Sequence, residues 1–156
     1  MIESIMAILI ISVMYVAALN TVGASRVSEA LIANQRKGHQ LAQQLLSEIV
    51  MLPYVDPVFD SGALGPSSAE AATGDRSLFN DVDDYHLWTE GPPQNKNGSV
   101  MSDLSEWKRA VVVAWVDPSN IEQTRSGETN LKRITVTVSL RGKTVATLQA
   151  IRAKVD

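Results

Sequence analysis

The chain contains no cysteine. Disulfides, thiol nucleophiles and cysteine-rich zinc sites are therefore excluded. It also lacks an excess of positive charge: 14 Lys and Arg stand against 17 Asp and Glu, a net charge of −3. No basic stripe interleaved with aromatic residues runs through it, which argues against a nucleic-acid partner or broad attraction to anionic lipid. No proline occurs before Pro53, and Glu3 is the one charged residue among the first 25. Nucleophile motifs, a P-loop and a dinucleotide fingerprint are missing too. Gly62-Ala-Leu-Gly65-Pro66 has no strand-to-helix context and does not read as a phosphate cradle.

What is present first is a long apolar run. From Ile5 to Ala24 only Ser12, Asn20 and Thr21 are clearly polar. About 20 helical residues span roughly 30 Å, the thickness of a hydrocarbon core. A membrane span is the leading reading. A buried helix of a soluble protein would need cover on every side, which a domain of this size hardly supplies. A cleavable signal would begin with Lys or Arg, whereas this chain begins Met-Ile-Glu-Ser, although Ala24 offers a small residue for cleavage. Arg26, Arg36 and Lys37 all follow the span, so a plain positive-inside count puts the C-terminal part in the cytoplasm. A basic leader ahead of Glu3 would reverse that count, and such a leader is expected here.

The helical pattern continues beyond the span. Val27, Ala30, Leu31, Asn34, Gly38, Leu41, Ala42, Leu45, Ile49 and Leu52 recur at three-four spacing, with Ser28, Glu29, Gln35, Arg36, Lys37, Gln40, Gln43, Gln44 and Glu48 between them. This is an amphipathic helix with one apolar stripe, closed by Pro53. A continuous helix from Ile2 to Leu52 would be roughly 75 Å long. No heptad or internal repeat accompanies it. The expected arrangement is a projecting first half and a second half packed on a globular head.

Residues 54–106 are punctuated by Pro57, Gly62, Gly65, Pro66, Gly74, Gly91, Pro92, Pro93 and Gly98 and read as a long irregular connection. Asp103-Leu-Ser-Glu106 is placed to cap one helical turn. Three strands follow: Lys108 to Val116, ended by Asp117-Pro118; Leu131 to Leu140; and Lys143 to Ala153, after a tight Arg141-Gly142 turn. In the second, Ile134, Val136, Val138 and Leu140 alternate with Arg133, Thr135, Thr137 and Ser139. The predicted fold is α+β: a long N-terminal helix, membrane-spanning in its first half, packed on a small antiparallel sheet. Its parts are residues 1–25 (span), 26–53 (amphipathic half), 54–106 (variable loop) and 107–156 (meander), with 26–156 forming the head.

Candidate chemistry is sparse. Asp81, Asp83 and Asp84 form the densest acidic cluster and are a candidate calcium site, with Asn80, Glu90, Asn95 and Asn97 as further oxygen donors. The EF-hand spacing is absent. The competing reading is structural: Phe79, Val82, Tyr85 and Trp88 anchor the loop while the carboxylates cap backbone amides. His39 and His86 are isolated and read as surface residues. Trp107 and Trp115 flank the first strand and read as core.

The order of parts resembles the plan of type IV pilins and type II secretion pseudopilins. Ile2-Glu3-Ser4-Ile5-Met6-Ala7-Ile8-Leu9-Ile10 resembles the start of a mature prepilin. Gly74-Asp-Arg-Ser-Leu-Phe-Asn-Asp-Val-Asp-Asp-Tyr-His86 is similar to a stretch of minor prepilins of the mannose-sensitive haemagglutinin pilus type. Prepilins carry a basic leader ending in Gly before the Ile-Glu pair; here Met1 stands where a Leu is expected. The resemblance implies that Glu3 is the assembly glutamate, paired with the N-terminal amine of an adjacent subunit. An intramembrane carboxylate costs several kcal/mol, about 2.5 to 3.5 at the bilayer centre and less near an end, so a neighbouring amine is a natural partner. The implied partners are other pilins or pseudopilins, an inner-membrane assembly platform and, with a leader, prepilin peptidase. The implied location is a single-pass inner-membrane anchor with a periplasmic head, then a pilus or pseudopilus filament. The resemblance implies no enzyme activity. A membrane-tethered periplasmic binding module that never polymerises is the alternative, and an exported enzyme with an uncleaved anchor is a third.

Overall fold

The computed structural model describes residues 2–58, 62–73 and 75–155. The chain divides into two compact units, Met1–Arg36 and Lys37–Asp156. One helix, α1 (Ile2–Val50), supplies all of the first unit's described residues and opens the second. It is long and apolar enough to cross a membrane, and none of its most apolar window is buried. Within that run Ser12 donates to the Ile8 carbonyl at 2.7 Å and Thr21 to the Ala17 carbonyl at 2.9 Å. Both hydroxyls are thus satisfied inside the helix and place no demand on a lipid environment.

The apolar stripe is buried over a shorter stretch than its sequence period suggests. Gly38, Leu41, Ala42, Leu45 and Ile49 are buried, while Val27 and Leu31 remain 63% and 59% exposed. The second compact unit begins at Lys37. Gly38 is where packing starts, and a Cβ there would lie 3.3 Å from the Val145 Cβ and 3.5 Å from the Trp107 ring. α1 ends at Val50, two residues before the expected Leu52, and the Leu52 amide closes on the Ile49 carbonyl at 3.0 Å. Pro53 then prevents continuation.

The sheet of the second unit is antiparallel throughout. Its strands are β1 (Thr89–Glu90), β2 (Trp107–Asp117), β3 (Asn120–Thr124), β4 (Leu131–Leu140) and β5 (Lys143–Ala153). The order is β1-β2-β4-β5, with β3 paired to the end of β2. The three long strands match the sequence reading. β1 and β3 were not anticipated. β3 is exposed along its whole length and so has no apolar alternation to betray it. It returns on β2 through a turn in which the Ser119 amide bonds Asp117 Oδ1 at 2.7 Å, where the sequence suggested that the strand simply stops at Asp117-Pro118.

Alternation sets the core. β4 buries Ile134, Val136 and Val138, and register places Val136 opposite both Val111 and Leu148. Val111 and Val113 of β2 meet the Leu41–Ile49 face of α1, joined by Phe79, Val82, Tyr85 and Trp107. Trp115 is only half-buried, and its indole nitrogen finds no partner among the described residues, so of the two tryptophans assigned to the core only Trp107 belongs there.

The connection between helix and sheet is more ordered than its composition suggests. A short helix, α2 (Ser68–Thr73), is opened by a reciprocal cap: the Ser67 amide donates to Glu70 Oε2 at 2.9 Å and the Glu70 amide to Ser67 Oγ at 3.5 Å. Single 3-10 turns follow at Arg76–Leu78, Asp83–Tyr85 and Ser102–Leu104. The last lies near the expected turn but carries no side-chain cap. Glu106, expected to complete it, instead accepts two bonds from Arg141 at 2.8 and 2.6 Å; a forked guanidinium is the stronger partner. Between them Asn95–Ser99 forms a tight exposed turn closed by a Gln94–Val100 bridge.

Candidate functional site

Glu3 lies in the first turn of α1, exposed, just ahead of the apolar run from Ile5 to Ala24. The next charged side chain along α1 is Arg26, well beyond the reach of Glu3.

The acidic cluster is drawn inward. Asp81, Asp83 and Asp84 are all buried, as is Glu70 of α2. Asp81 Oδ1 accepts from the amides of Asp83 and Asp84 at 2.5 and 3.2 Å. Asp84 Oδ2 accepts from the amides of Asn80 and Asp81 at 2.8 and 3.2 Å. Asp83 Oδ2 pairs with Lys132 Nζ at 2.7 Å, and the same ammonium donates to the Tyr54 carbonyl at 2.6 Å. Lys132 is fully buried, with Nζ 3.7 Å from the centre of the Tyr54 ring. Among the described residues no three acidic or histidine side chains converge in a way that would hold a metal ion. Of the further donors considered for calcium, Glu90 is turned to Arg109, while Asn95 and Asn97 are occupied within their own exposed turn. These contacts match the structural reading of the cluster, in which the carboxylates cap amides.

Burial, reinforced by the charge of Asp84, pushes the Asp81 carboxyl up to about 7, against the pull of its two amide bonds. Burial pushes Asp84 up to about 6, with Glu70 adding to the effect. A raised native pKa means that the folded state holds protons which the unfolded chain has already released. Stability from these groups is complete below the ordinary carboxylate value of 3.8 and is lost as pH rises towards about 7. The exposed Asp75 and Glu106 and the half-buried Asp117 are shifted down instead, so their contribution disappears only at more acid pH. The expected result is that the chain in detergent melts at a lower temperature at about pH 8 than at about pH 5. Asp81→Asn keeps the Oδ1 acceptor and removes the charge. It should flatten that slope and gain on the order of 2 kcal/mol at about pH 8, at roughly 1.4 kcal/mol per pKa unit. Equal slopes for the two proteins would refute the assignment.

A second buried polar network joins α1, the loop and the sheet. Arg109 of β2 pairs through Nε and Nη2 with Glu90 Oε1, and Nη2 also donates to the Gln94 carbonyl at 2.6 Å. Arg76 donates to the same carbonyl at 3.1 Å and lies 3.7 Å from Glu90 and 3.6 Å from Glu48 of α1. Its guanidinium sits 5.4 Å from the centre of the Trp88 ring. The Tyr85 hydroxyl donates to Glu48 Oε1 at 2.8 Å, and burial together with that carboxylate drives its pKa upward. Burial pulls the pKa of Arg109 down while Glu90 pulls it back.

Sequence reasoning missed Lys132, Arg109 and Arg76, yet a signal existed for two of them. Lys132 shares the parity of Ile134, Val136 and Val138, and Arg109 shares that of Trp107, Val111 and Val113. A basic residue on the apolar face of a strand calls for an acid in the segment lying over it. His39 is exposed, as expected. His86 is half-buried with Nδ1 enclosed, a correction to its reading as a surface residue: the Asp83–Tyr85 turn folds it inward, its amide donating to the Asp83 carbonyl at 2.8 Å.

A groove of about 510 Å³ opens between α1 and β5, lined by His39, Gln43, Leu46, Val50, Leu148 and Ala150 among others. A second, of about 520 Å³, lies over the polar face of β2 and β4 near Lys108, Thr137 and Ser139. Comparison with known proteins returns no match to a family model, to a curated protein or to a solved structure.

Proposed function

We propose that this chain is a structural subunit of a filament of the type IV pilus or type II secretion kind, held in the inner membrane by the first part of α1 before assembly. The observation that carries the reading is an apolar helical stretch with none of its surface buried, continuous with a helix that enters a folded α+β head. Such a surface calls for lipid first and for other helices afterwards. Glu3, at the mouth of that stretch, would then pair with the amino terminus of an adjacent subunit and set the stagger between them. The head would stand in the periplasm, and the partners would be other subunits and an assembly platform. No enzymatic step is assigned. Neither is a calcium requirement, since Asp81 and Asp84 already accept backbone amides and Asp83 pairs with Lys132.

The test is incorporation. Glu3→Ala is expected to leave the amount of membrane-inserted subunit unchanged and to cut the amount in sheared filaments at least tenfold. Wild-type assembly of that variant would end the proposed role of Glu3. A chain that stays monomeric in its native envelope would instead favour a tethered binding module, the reading to which the open edge of β5 lends support.

A further inference from the structure

β5 is the last strand of the sheet, and among the described residues nothing pairs with its outer side. It has no fully buried residue, whereas β4 beside it has four. The Lys154 amide bonds the Asn130 carbonyl at 2.9 Å, continuing the β4–β5 ladder. Strand alternation then assigns Leu148, Ala150 and Arg152 to the β4 side and turns the amides and carbonyls of Thr147, Gln149, Ile151 and Ala153 outward. Native edges are usually blunted by charge, proline or a bulge. The irregularity in this ladder sits at its start, opposite Val138/Ser139. From Thr147 to Ile151 there is no charge and no proline. Beside this open ladder runs the groove to α1, with Leu46, Val50, Leu148 and Ala150 on its walls and no acidic residue in its lining.

The ends of the edge are basic. Lys143 stands at one end, Arg152 and Lys154 at the other. Arg152 Nη2 donates to the Leu52 carbonyl at 3.3 Å, while its Nε is enclosed with no acceptor among the described residues. Positive charge at both ends of an edge whose groove carries no acidic residue favours an incoming segment that bears acidic residues.

We propose that β5 is a strand-addition site: it captures an extended segment of a different polypeptide that carries small apolar side chains at alternate positions and an acidic residue facing Arg152. The incoming backbone bonds to Thr147, Gln149 and Ile151, and its alternate side chains enter the groove. The choice of a different polypeptide over a second copy rests on charge: a second β5 would bring Lys143, Arg152 and Lys154 to this edge and, from Lys143 to Val155, no acidic residue.

The absence of native cysteine gives a clean test on the full chain in detergent micelles. The probe is a fluorescent peptide of alternating Val and Thr with Glu at both ends. Its control is the same peptide N-methylated on the amides of its bonding edge. The probe should bind saturably and the control at least tenfold more weakly. Gln149→Pro removes an outward amide that makes no internal bond, so the fold tolerates it on an edge, and it should weaken the probe at least tenfold. If that variant fails to fold, the methylated control reads the same hydrogen bonds. Arg152→Gln should weaken the Glu-flanked probe at least fivefold and leave a Gln-flanked version unchanged. Equal binding of probe and methylated control overturns the proposal. So does a Gln149→Cys chain that forms disulfide-linked pairs with itself in place of binding probe. Peptide binding is read without filament assembly, so failure here and failure of the filament reading are separate results.

Discussion

Lys132→Met should be the most damaging single substitution in the head, costing about 3–5 kcal/mol in denaturant unfolding of the detergent-solubilised chain. A domain of this size has only about 5–15 kcal/mol in total, so much of the variant population would be unfolded under mild stress. Methionine replaces the stem of Lys132 well. What it cannot replace is the ammonium that joins three segments: β4, the Asp83 turn and the chain just past α1 at Tyr54. Without it Asp83 stays buried beside Asp81 and Asp84, and the Tyr54 carbonyl loses its donor. Lys132→Met combined with Asp83→Asn should recover more than half of the loss, because the cost lies in the stranded charge more than in the missing contact. A double variant as unstable as the sum of its parts would show that packing, not charge, is at stake.

Arg109→Met should cost less, about 2–4 kcal/mol, for a reason visible in the geometry. Glu90 and the Gln94 carbonyl are each approached by a second guanidinium, that of Arg76. The remaining arginine partly satisfies both. Arg76→Met alone should be milder still. The two together should exceed the sum of the single losses, since Glu90 would then lose both guanidinium groups and Glu48 would keep the Tyr85 hydroxyl but not Arg76. Arg109→Lys should not restore the wild type, because one ammonium cannot reproduce the forked contact to Glu90 and Gln94. Additive losses in the double variant would mean that the two arginines act separately.

These two residues also mark the limit of what the sequence made legible. The helix, the three long strands and the anchoring of the loop by Phe79, Val82, Tyr85 and Trp88 follow from periodicity and composition, and the structure carries them within two residues at each end. The acidic run stood out as well, and its amide-capping role was foreseen. What could not be seen was the set of charges that complete it. Lys132 is 49 residues from Asp83, and Arg109 is 19 from Glu90. Such pairs depend on how the loop lies over the sheet, which no local pattern encodes. β3 escaped for the opposite reason: it buries nothing, so it leaves no hydrophobic trace. The stripe on α1 was read correctly as apolar but too generously as packed, because spacing records which side of a helix is greasy and not how far its cover extends. Val27 and Leu31 belong to the pattern and remain exposed.

The Asn95–Ser99 turn closes on itself through Asn95, Asn97 and Ser99 and projects none of its side chains into the core. The inward staples of Arg76 and Arg109 grip the chain just before it, at the Gln94 carbonyl. Foreign residues spliced between Asn97 and Gly98 would thus hang from a clamped base. That makes this corner a ready graft point, where an antibody tag can report the subunit's whereabouts in living cells while the rest of the molecule goes about its work undisturbed.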